Sequence, residues 1–310
     1  MPKWSLRWDL TVVESSVLAV RPFFSDVIAK IIAAARDAGQ AIERVRAPGM
    51  EVHEKGDSGG PLTRADRDSD ALLRTRLTAL VPAGWLSEET SDTQDRLVAS
   101  RLWIVDPLDG TKEFVAGLPE YCVAIALVDA GEPTLAVVHN PRTGDVFWAE
   151  RGRGAFRNGE PMRVREGDTL LASRTEVVAG EFEPFAADWT VRTVGSIQLK
   201  LALVAAGDAS ATLSRGPKWE WDVCAGALLV AEAGGRVADV TGAPLRYNQP
   251  WPKTRGVLAG APGAYDRALA RINAIGVSAR MGELNREARL GDAGPRLRSG
   301  VASDPAKSTR

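Results

Sequence analysis

Trp103-Ile104-Val105-Asp106-Pro107-Leu108-Asp109-Gly110-Thr111-Lys112-Glu113-Phe114 brings two carboxylates to the end of one strand. Three apolar residues form a buried strand that delivers Asp106 at its terminus. Pro107 and Gly110 then force a turn, with Asp109 between them. Beyond Gly110, the backbone N–H groups of a turn or starting helix can receive a phosphate oxygen, with the Thr111 hydroxyl alongside. Carboxylates alone repel a phosphate, so such a site needs divalent cations between the two. Oxygen ligands without His or Cys select Mg2+ or Mn2+. Taken in isolation, the Asp-Pro and Asp-Gly pairs are equally well read as plain turn formers.

Upstream, apolar residues recur at helical spacing from Pro22 to Arg46 (Phe24, Val27, Ile28, Ile31, Ile32, Ala35, Ile42), which predicts a long amphipathic helix. Lys55-Gly56-Asp57-Ser58-Gly59-Gly60-Pro61 reads as a loop, either plainly solvated or able to close over a site. Thr63 precedes a second helical pattern with Leu72, Leu73, Leu77 and Leu80, and is placed to cap it. Downstream, strand-like runs at 102–105, 121–128, 134–138 and 146–149 follow one another without intervening helices, which predicts an antiparallel sheet. After residue 168 strands alternate with helical stretches at 197–206, 222–233 and 264–274, the pattern of an α/β half. The chain therefore divides into an extension (1–20), an N-terminal α+β half (21–167), a smaller C-terminal α/β half (168–275) and a tail (276–310) expected to be disordered. The tail has seven basic residues against four acidic ones and no aromatics.

The whole chain has 310 residues, 45% hydrophobic and 25% charged, enough to bury a core without disulfides or structural metal. A net charge of -1 speaks against a general nucleic-acid partner. No run approaches the length of a membrane span, and the N-terminus has no secretory-signal pattern. Cys122 and Cys224 have no C-x-x-C spacing, which suits a reducing cytoplasm. His53 and His139 are too few for a multi-histidine metal site and lack a nucleophile partner, so both are read as surface or core residues.

The 103–114 segment resembles the metal-binding motif of the lithium-sensitive, magnesium-dependent sugar and nucleotide phosphatases. That superfamily includes inositol monophosphatase, fructose-1,6-bisphosphatase and the CysQ-type 3'(2'),5'-bisphosphate nucleotidases. Four further segments match in chain order. Pro61-Leu62-Thr63-Arg64-Ala65-Asp66 resembles the family's P-V-T-x-A-D loop, and Ser87-Glu88-Glu89-Thr90 its acidic pair. Gly154-Ala155-Phe156-Arg157-Asn158-Gly159 resembles a family hairpin, and Trp221-Asp222 with Glu232-Ala233-Gly234-Gly235 resembles the C-terminal motif.

The resemblance implies an α/β fold: the layered αβαβα sandwich of the sugar phosphatases, with an antiparallel N-terminal sheet and a smaller C-terminal layer. It implies that Glu88, Asp106 and the Leu108 carbonyl bind one Mg2+, and that Asp106, Asp109 and Asp222 bind a second, with Asp106 bridging. Glu88 and Thr111 would position and activate the attacking water. Asp66 either hydrogen-bonds near Thr111 or helps hold a third, weaker metal. Substitution by Mn2+, inhibition by Li+ and a homodimer are further implications.

Thr111-Lys112-Glu113-Phe114 is similar to the T-K-E-F of the bisphosphate nucleotidases rather than the T-x-N-F of inositol monophosphatases. Seven residues before Asp222, where inositol monophosphatases carry a glutamate, stands Arg215. A cation there suits a second phosphate, with Lys200 and Lys218 assisting, unless all three lie on a solvated face. The candidate substrate contacts are Gly110, Thr111, Lys112, Ser196, Lys200 and Arg215. Two departures affect the pocket: the glycine-rich 55–61 loop, and Lys218-Trp219-Glu220 in place of the more usual T-M-E. The expected activity is hydrolysis of the 3'-phosphate of adenosine 3',5'-bisphosphate to AMP, with inositol or another sugar or histidinol phosphate as the alternative substrate. The reading from another class is a phosphate-binding protein without turnover; retention of Glu88, Asp106, Asp109 and Asp222 speaks against it.

Overall fold

Helix α1 (Asp26–Val45) and helix α2 (Arg64–Leu80) form the outermost layer. Between them lies a short hairpin of β1 (Val52–Glu54) and β2 (Pro61–Thr63). The computed structural model describes residues 26–46, 52–54 and 61–276; the expectations for the N-terminal extension, Lys55, Asp57 and the tail after Gly276 lie outside these. Thr63 caps α2 as its sequence predicts: its Oγ1 accepts from Ala65 N, and Asp66 closes a capping box.

Seven strands make the large sheet: β3 (Gly84–Ser87), β4 (Arg101–Asp109), β5 (Cys122–Asp129), β6 (Glu132–His139), β7 (Val146–Glu150), β8 (Gly154–Arg157) and β9 (Glu160–Pro161), paired in that order. From β4 onward each pair is antiparallel, as expected, and β8 and β9 form the predicted hairpin. Its turn residues Asn158 and Gly159 both have positive φ, the conformation a tight hairpin demands. The sequence reading lacked β3, which runs parallel to β4. The segment between Ser87 and Arg101, with a 3-10 turn at Gln94–Val98, is long enough for the crossover a parallel pair requires.

Beyond β9 come β10 (Thr169–Ala172), β11 (Thr190–Thr193), β12 (Ala211–Ser214), β13 (Lys218–Trp219), β14 (Arg236–Ala238), β15 (Lys253–Thr254) and β16 (Val257–Gly260). Five of these form a second sheet in the order β11-β10-β12-β16-β14, while β13 and β15 pair separately. The helices here are α4 (Arg174–Val178), α5 (Ile197–Ala205), α6 (Glu220–Glu232) and α7 (Pro262–Ile275); a single-turn helix, α3 (Thr111–Val115), follows β4.

Alternation along the strands divides the packing. Trp103, Val105, Val123, Ile125 and Val137 point from the large sheet toward α1 and α2. Leu102, Ile104, Ala124, Ala126 and Val138 point the other way, into a cluster with Leu201, Ala202, Cys224 and Leu228 of α5 and α6 and with Val257 and Ala259 of the second sheet. The far face of that second sheet packs Leu213 and Leu258 against Ala264, Ala268 and Ile272 of α7. The layers thus run helix, sheet, helix, sheet, helix, the sandwich expected. Because α5 and α6 are covered on both sides, they are apolar nearly all round rather than striped.

Those two helices approach closely at Gly226, where an added Cβ would lie 2.5 Å from Leu201 Cβ. Gln198 fastens the contact, accepting from Gly226 N at 2.7 Å and donating to the Trp221 carbonyl at 2.6 Å. Gly226→Ala is expected to cost about 1–3 kcal/mol by overpacking. Thermal unfolding should show it as a midpoint several degrees lower; an unchanged midpoint would mean that the two helices part without cost.

Candidate active site

The end of β4, the start of α3 and the first turn of α6 open onto one cavity of about 300 Å³. Its wall includes Glu88, Asp106, Leu108, Asp109, Gly110, Thr111, Lys112, Ser196, Lys200 and Asp222, so most of the residues singled out in the sequence are brought together. The strand pairing shifts register between Asp106 and Asp109, which is how one strand end presents both carboxylates. Asp106 is nearly fully buried, and its Oδ1 accepts from Leu108 N at 3.1 Å. Gly110 has φ +94°, and a Cβ there would lie 2.7 Å from the Glu120 carbonyl, so the turn requires glycine.

Thr111 follows with its Oγ1 3.0 Å from both Asp66 Oδ1 and the Leu108 carbonyl oxygen. Asp66 is itself fully buried, its Oδ2 accepting from Thr63 N at 2.7 Å and Thr63 Oγ1 at 2.6 Å. Asp109 is held from the opposite half: its Oδ2 accepts from Ser196 Oγ and Gln198 N, both at 2.6 Å. Ser196 caps α5 with φ 55°, a conformation that costs a non-glycine residue and is retained here against the carboxylate.

Electrostatics set these acids apart. Burial pushes the Asp222 carboxyl up to about 7, with Glu88 and Asp109 adding repulsion and Lys218 pulling the other way. Burial likewise raises Asp109 above the usual carboxylate range despite the Ser196 and Gln198 donors. Among the described residues, no three His, Cys, Asp or Glu side chains stand close enough to form a ready-made ion cage. The donor set nevertheless fits a hard divalent cation: four carboxylates and the Leu108 carbonyl border one cavity, all offering oxygen, and burial of like charges gives them need of a counter-charge.

The basic residues are arranged differently from the sequence reading. Arg215 is not among the residues bordering the cavity; its Nη2 donates to the Glu181 carbonyl at 3.2 Å and its Nε lies 3.7 Å from the Glu181 carboxylate. Lys200 and Lys218 do border it, so neither belongs to a merely solvated face. Lys200 is 2% exposed, and burial lowers its ammonium to about 8, with Glu176 drawing it back up and Lys218 pushing it down.

Ser173, Arg174 and Glu176 also border the cavity and were missed. A signal existed: Ser173 and Glu176 stand three apart directly after a strand-like run, the spacing of a helix cap at a strand's carboxyl end. Although burial works against it, Glu176 is held below the usual range by Lys218 and by the hydroxyls of Ser173 and Ser214. Arg174 forms a two-pronged pair with Glu120, whose Oε2 also accepts from Gly195 N at 2.7 Å. His139 lies away from the cavity wall, its Nδ1 3.0 Å from the Asp145 carbonyl oxygen.

A five-layer sandwich with a carboxylate-walled cavity between its halves is the architecture of the sugar phosphatases. The profile of the inositol monophosphatase family matches residues 25–276, and the chain belongs to that family of phosphatases. It is 39% identical over 173 residues to the Nus factor SuhB of Xylella fastidiosa, an alignment covering 51% of this chain and 62% of that protein. It is 31% identical over 236 residues to the 3'(2'),5'-bisphosphate nucleotidase CysQ of Aggregatibacter actinomycetemcomitans, covering 71% of this chain and 86% of that protein. Among solved structures, an IMPase of Thermotoga maritima superposes with a TM-score of 0.71 at 27% identity, covering 81% of this chain and 98% of that one. No helix among the described residues is long and apolar enough to cross a membrane.

Proposed function

We propose that the chain is a Mg2+-dependent phosphomonoesterase that hydrolyses the 3'-phosphate of adenosine 3',5'-bisphosphate to give AMP and phosphate. The observation that carries this reading is the make-up of one cavity wall, in which Glu88, Asp106, Asp109 and Asp222 are joined by Lys112, Arg174, Lys200 and Lys218. The carboxylates suit divalent cations, and the four cations suit a substrate with a second phosphate. Lys112-Glu113 and the likeness to a CysQ nucleotidase support the nucleotide over a polyol.

In this mechanism Glu88, Asp106, Asp109, Asp222 and the Leu108 carbonyl are the groups that would hold Mg2+. When bound there, such cations would supply a water of lowered pKa and a counter-charge for the phosphate. Thr111 Oγ1, donating its proton to Asp66 Oδ1 in a hydrogen bond, keeps its lone pairs as acceptors that orient the attacking water together with Glu88. Ser196 and Gln198 N–H keep Asp109 turned toward the cavity. Lys200 and Lys218, which both interact with Glu176 on the same cavity wall, receive the second phosphate. A homodimer and inhibition by Li+ belong to the same reading.

Phosphate release with Mg2+, compared by kcat/KM over adenosine 3',5'-bisphosphate, inositol 1-phosphate, fructose 1,6-bisphosphate, NADP and histidinol phosphate, tests the assignment. We expect at least a hundredfold preference for the adenosine bisphosphate, roughly 2.7 kcal/mol of differential transition-state binding. A preference for inositol 1-phosphate would overturn the substrate and leave the phosphatase standing. No turnover of any of the five would overturn both.

A further inference from the structure

Glu88 and Asp222 come from opposite halves of the chain, Glu88 from the segment after β3 and Asp222 from the first turn of α6. Both border the same cavity. Their spacing is set by noncovalent contacts between the halves, and a buried network supplies them. Arg96, in the 3-10 turn Gln94–Val98, is 2% exposed despite its charge. Its Nε and Nη2 donate to the two carboxylate oxygens of Asp92 at 2.7 and 2.8 Å, the two-pronged geometry that suits guanidinium.

Its other contacts cross to the C-terminal half. Nη1 donates to Asn248 Oδ1 at 2.8 Å and Nη2 to the Gln249 carbonyl at 2.9 Å, while Asn248 Nδ2 donates back to the Arg96 carbonyl at 3.1 Å. The backbone N–H groups of Asn248 and Gln249 then donate to the two oxygens of Glu220, at 2.8 and 2.9 Å. Glu220 is fully buried, opens α6 and stands two residues before Asp222. At its other end the Glu88 segment is fastened to α2, where Asp70 accepts from Ser87 Oγ at 2.6 Å and Thr90 Oγ1 at 2.9 Å.

We propose that Arg96 is a positioning residue of the site, setting the separation of Glu88 and Asp222 by tying the Glu88 segment to the start of α6 through Asn248, Gln249 and Glu220. The inference rests on the proposed reading of Glu88 and Asp222 as partners in phosphoester hydrolysis. A buried charge network is no better for stability than an apolar contact of the same shape; what it adds is a fixed geometry. Arg96 touches none of the reacting groups, so its effect is on spacing alone.

Asn248→Gly is the sharpest probe. Asn248 has φ 59°, which glycine adopts without strain, so the substitution removes only the side-chain bridge. The Arg96–Asp92 pair, the Arg96 bond to the Gln249 carbonyl and both bonds to Glu220 remain. Arg96→Met and Arg96→Lys complete the set. For each variant, kcat, KM, the Mg2+ concentration for half activation and Mn2+ binding by calorimetry without substrate are measured.

For Arg96→Met we expect kcat about tenfold lower, a raised Mg2+ requirement and weakened Mn2+ binding, with KM within twofold of wild type, and for Asn248→Gly, which keeps the bond to the Gln249 carbonyl, the same changes about threefold in size. Arg96→Lys should recover part of the loss. Lower melting temperatures with kcat, Mg2+ requirement and Mn2+ affinity all as in wild type would overturn the proposal. If Arg96→Met does not fold, Asn248→Gly decides by itself. A wild-type chain that turns over no phosphoester would overturn the functional reading, while Mn2+ calorimetry on the variants would still decide the brace.

Discussion

Asp106→Asn is expected to lower kcat by about 10³-fold or more, with the unfolding midpoint within a few degrees of wild type. The two halves of that expectation come from different parts of one side chain. The fold uses Asp106 as an acceptor for Leu108 N, and an asparagine Oδ1 takes the same bond at the same place. The chemistry, on the proposed reading, would use its negative charge to hold Mg2+ at the end of β4. An amide oxygen keeps the shape and loses that charge, so the loss falls on the transition state. Steady-state kinetics at saturating Mg2+ together with circular dichroism check it. Near-wild-type kcat in a folded Asp106→Asn variant would remove the bridging role.

The parts of this molecule that were legible in the sequence are those whose causes are local. Asp106 and Asp109 lie on one strand and turn, with Pro107 and Gly110 dictating the backbone between them, so their convergence follows from twelve consecutive residues. Thr63 and Asp66 close a cap within one helical turn, and α1 has a stripe whose period shows without any partner. What stayed hidden depends on distant segments. β3 is four residues of mixed character whose strand pairing is with β4. Arg215 has the right offset from Asp222, yet Glu181, far away in sequence, draws its guanidinium aside. Glu120 reads as an ordinary loop acid until Arg174 and the Gly195 N–H are folded against it. Arg96 likewise gives no local sign that it spans two halves.

Asp222→Asn should divide stability from activity in the opposite sense to most site substitutions: turnover lost, and the metal-free protein made more stable at pH 8. Burial sets the sign. The carboxyl has an ordinary value of 3.8 and is pushed up to about 7 in the fold. Between those two values the native state holds a proton that the unfolded chain has released, so without metal the native state loses stability as pH rises from about 4 to about 7, and remains at that lower level above. A shift of this size corresponds to roughly 4 kcal/mol at most. Asparagine carries no charge at any of these pH values and can still accept from Trp219 N, the bond that Asp222 makes at 2.8 Å. The slope over that window should therefore shrink in the variant, with a remainder from Asp109, whose carboxyl is raised in the same direction. Mg2+ should act on the two proteins unequally, since a cation that binds the native state stabilises it and the variant has lost one of its ligands. Thermal unfolding at pH 5 and pH 8, with EDTA or with Mg2+, reads all of this in one experiment. With EDTA at pH 8 the variant should melt several degrees above wild type, and on adding Mg2+ the order should reverse. A variant that melts below wild type under both conditions would mean that the buried Asp222 charge does not cost the metal-free fold stability, and would overturn the expectation.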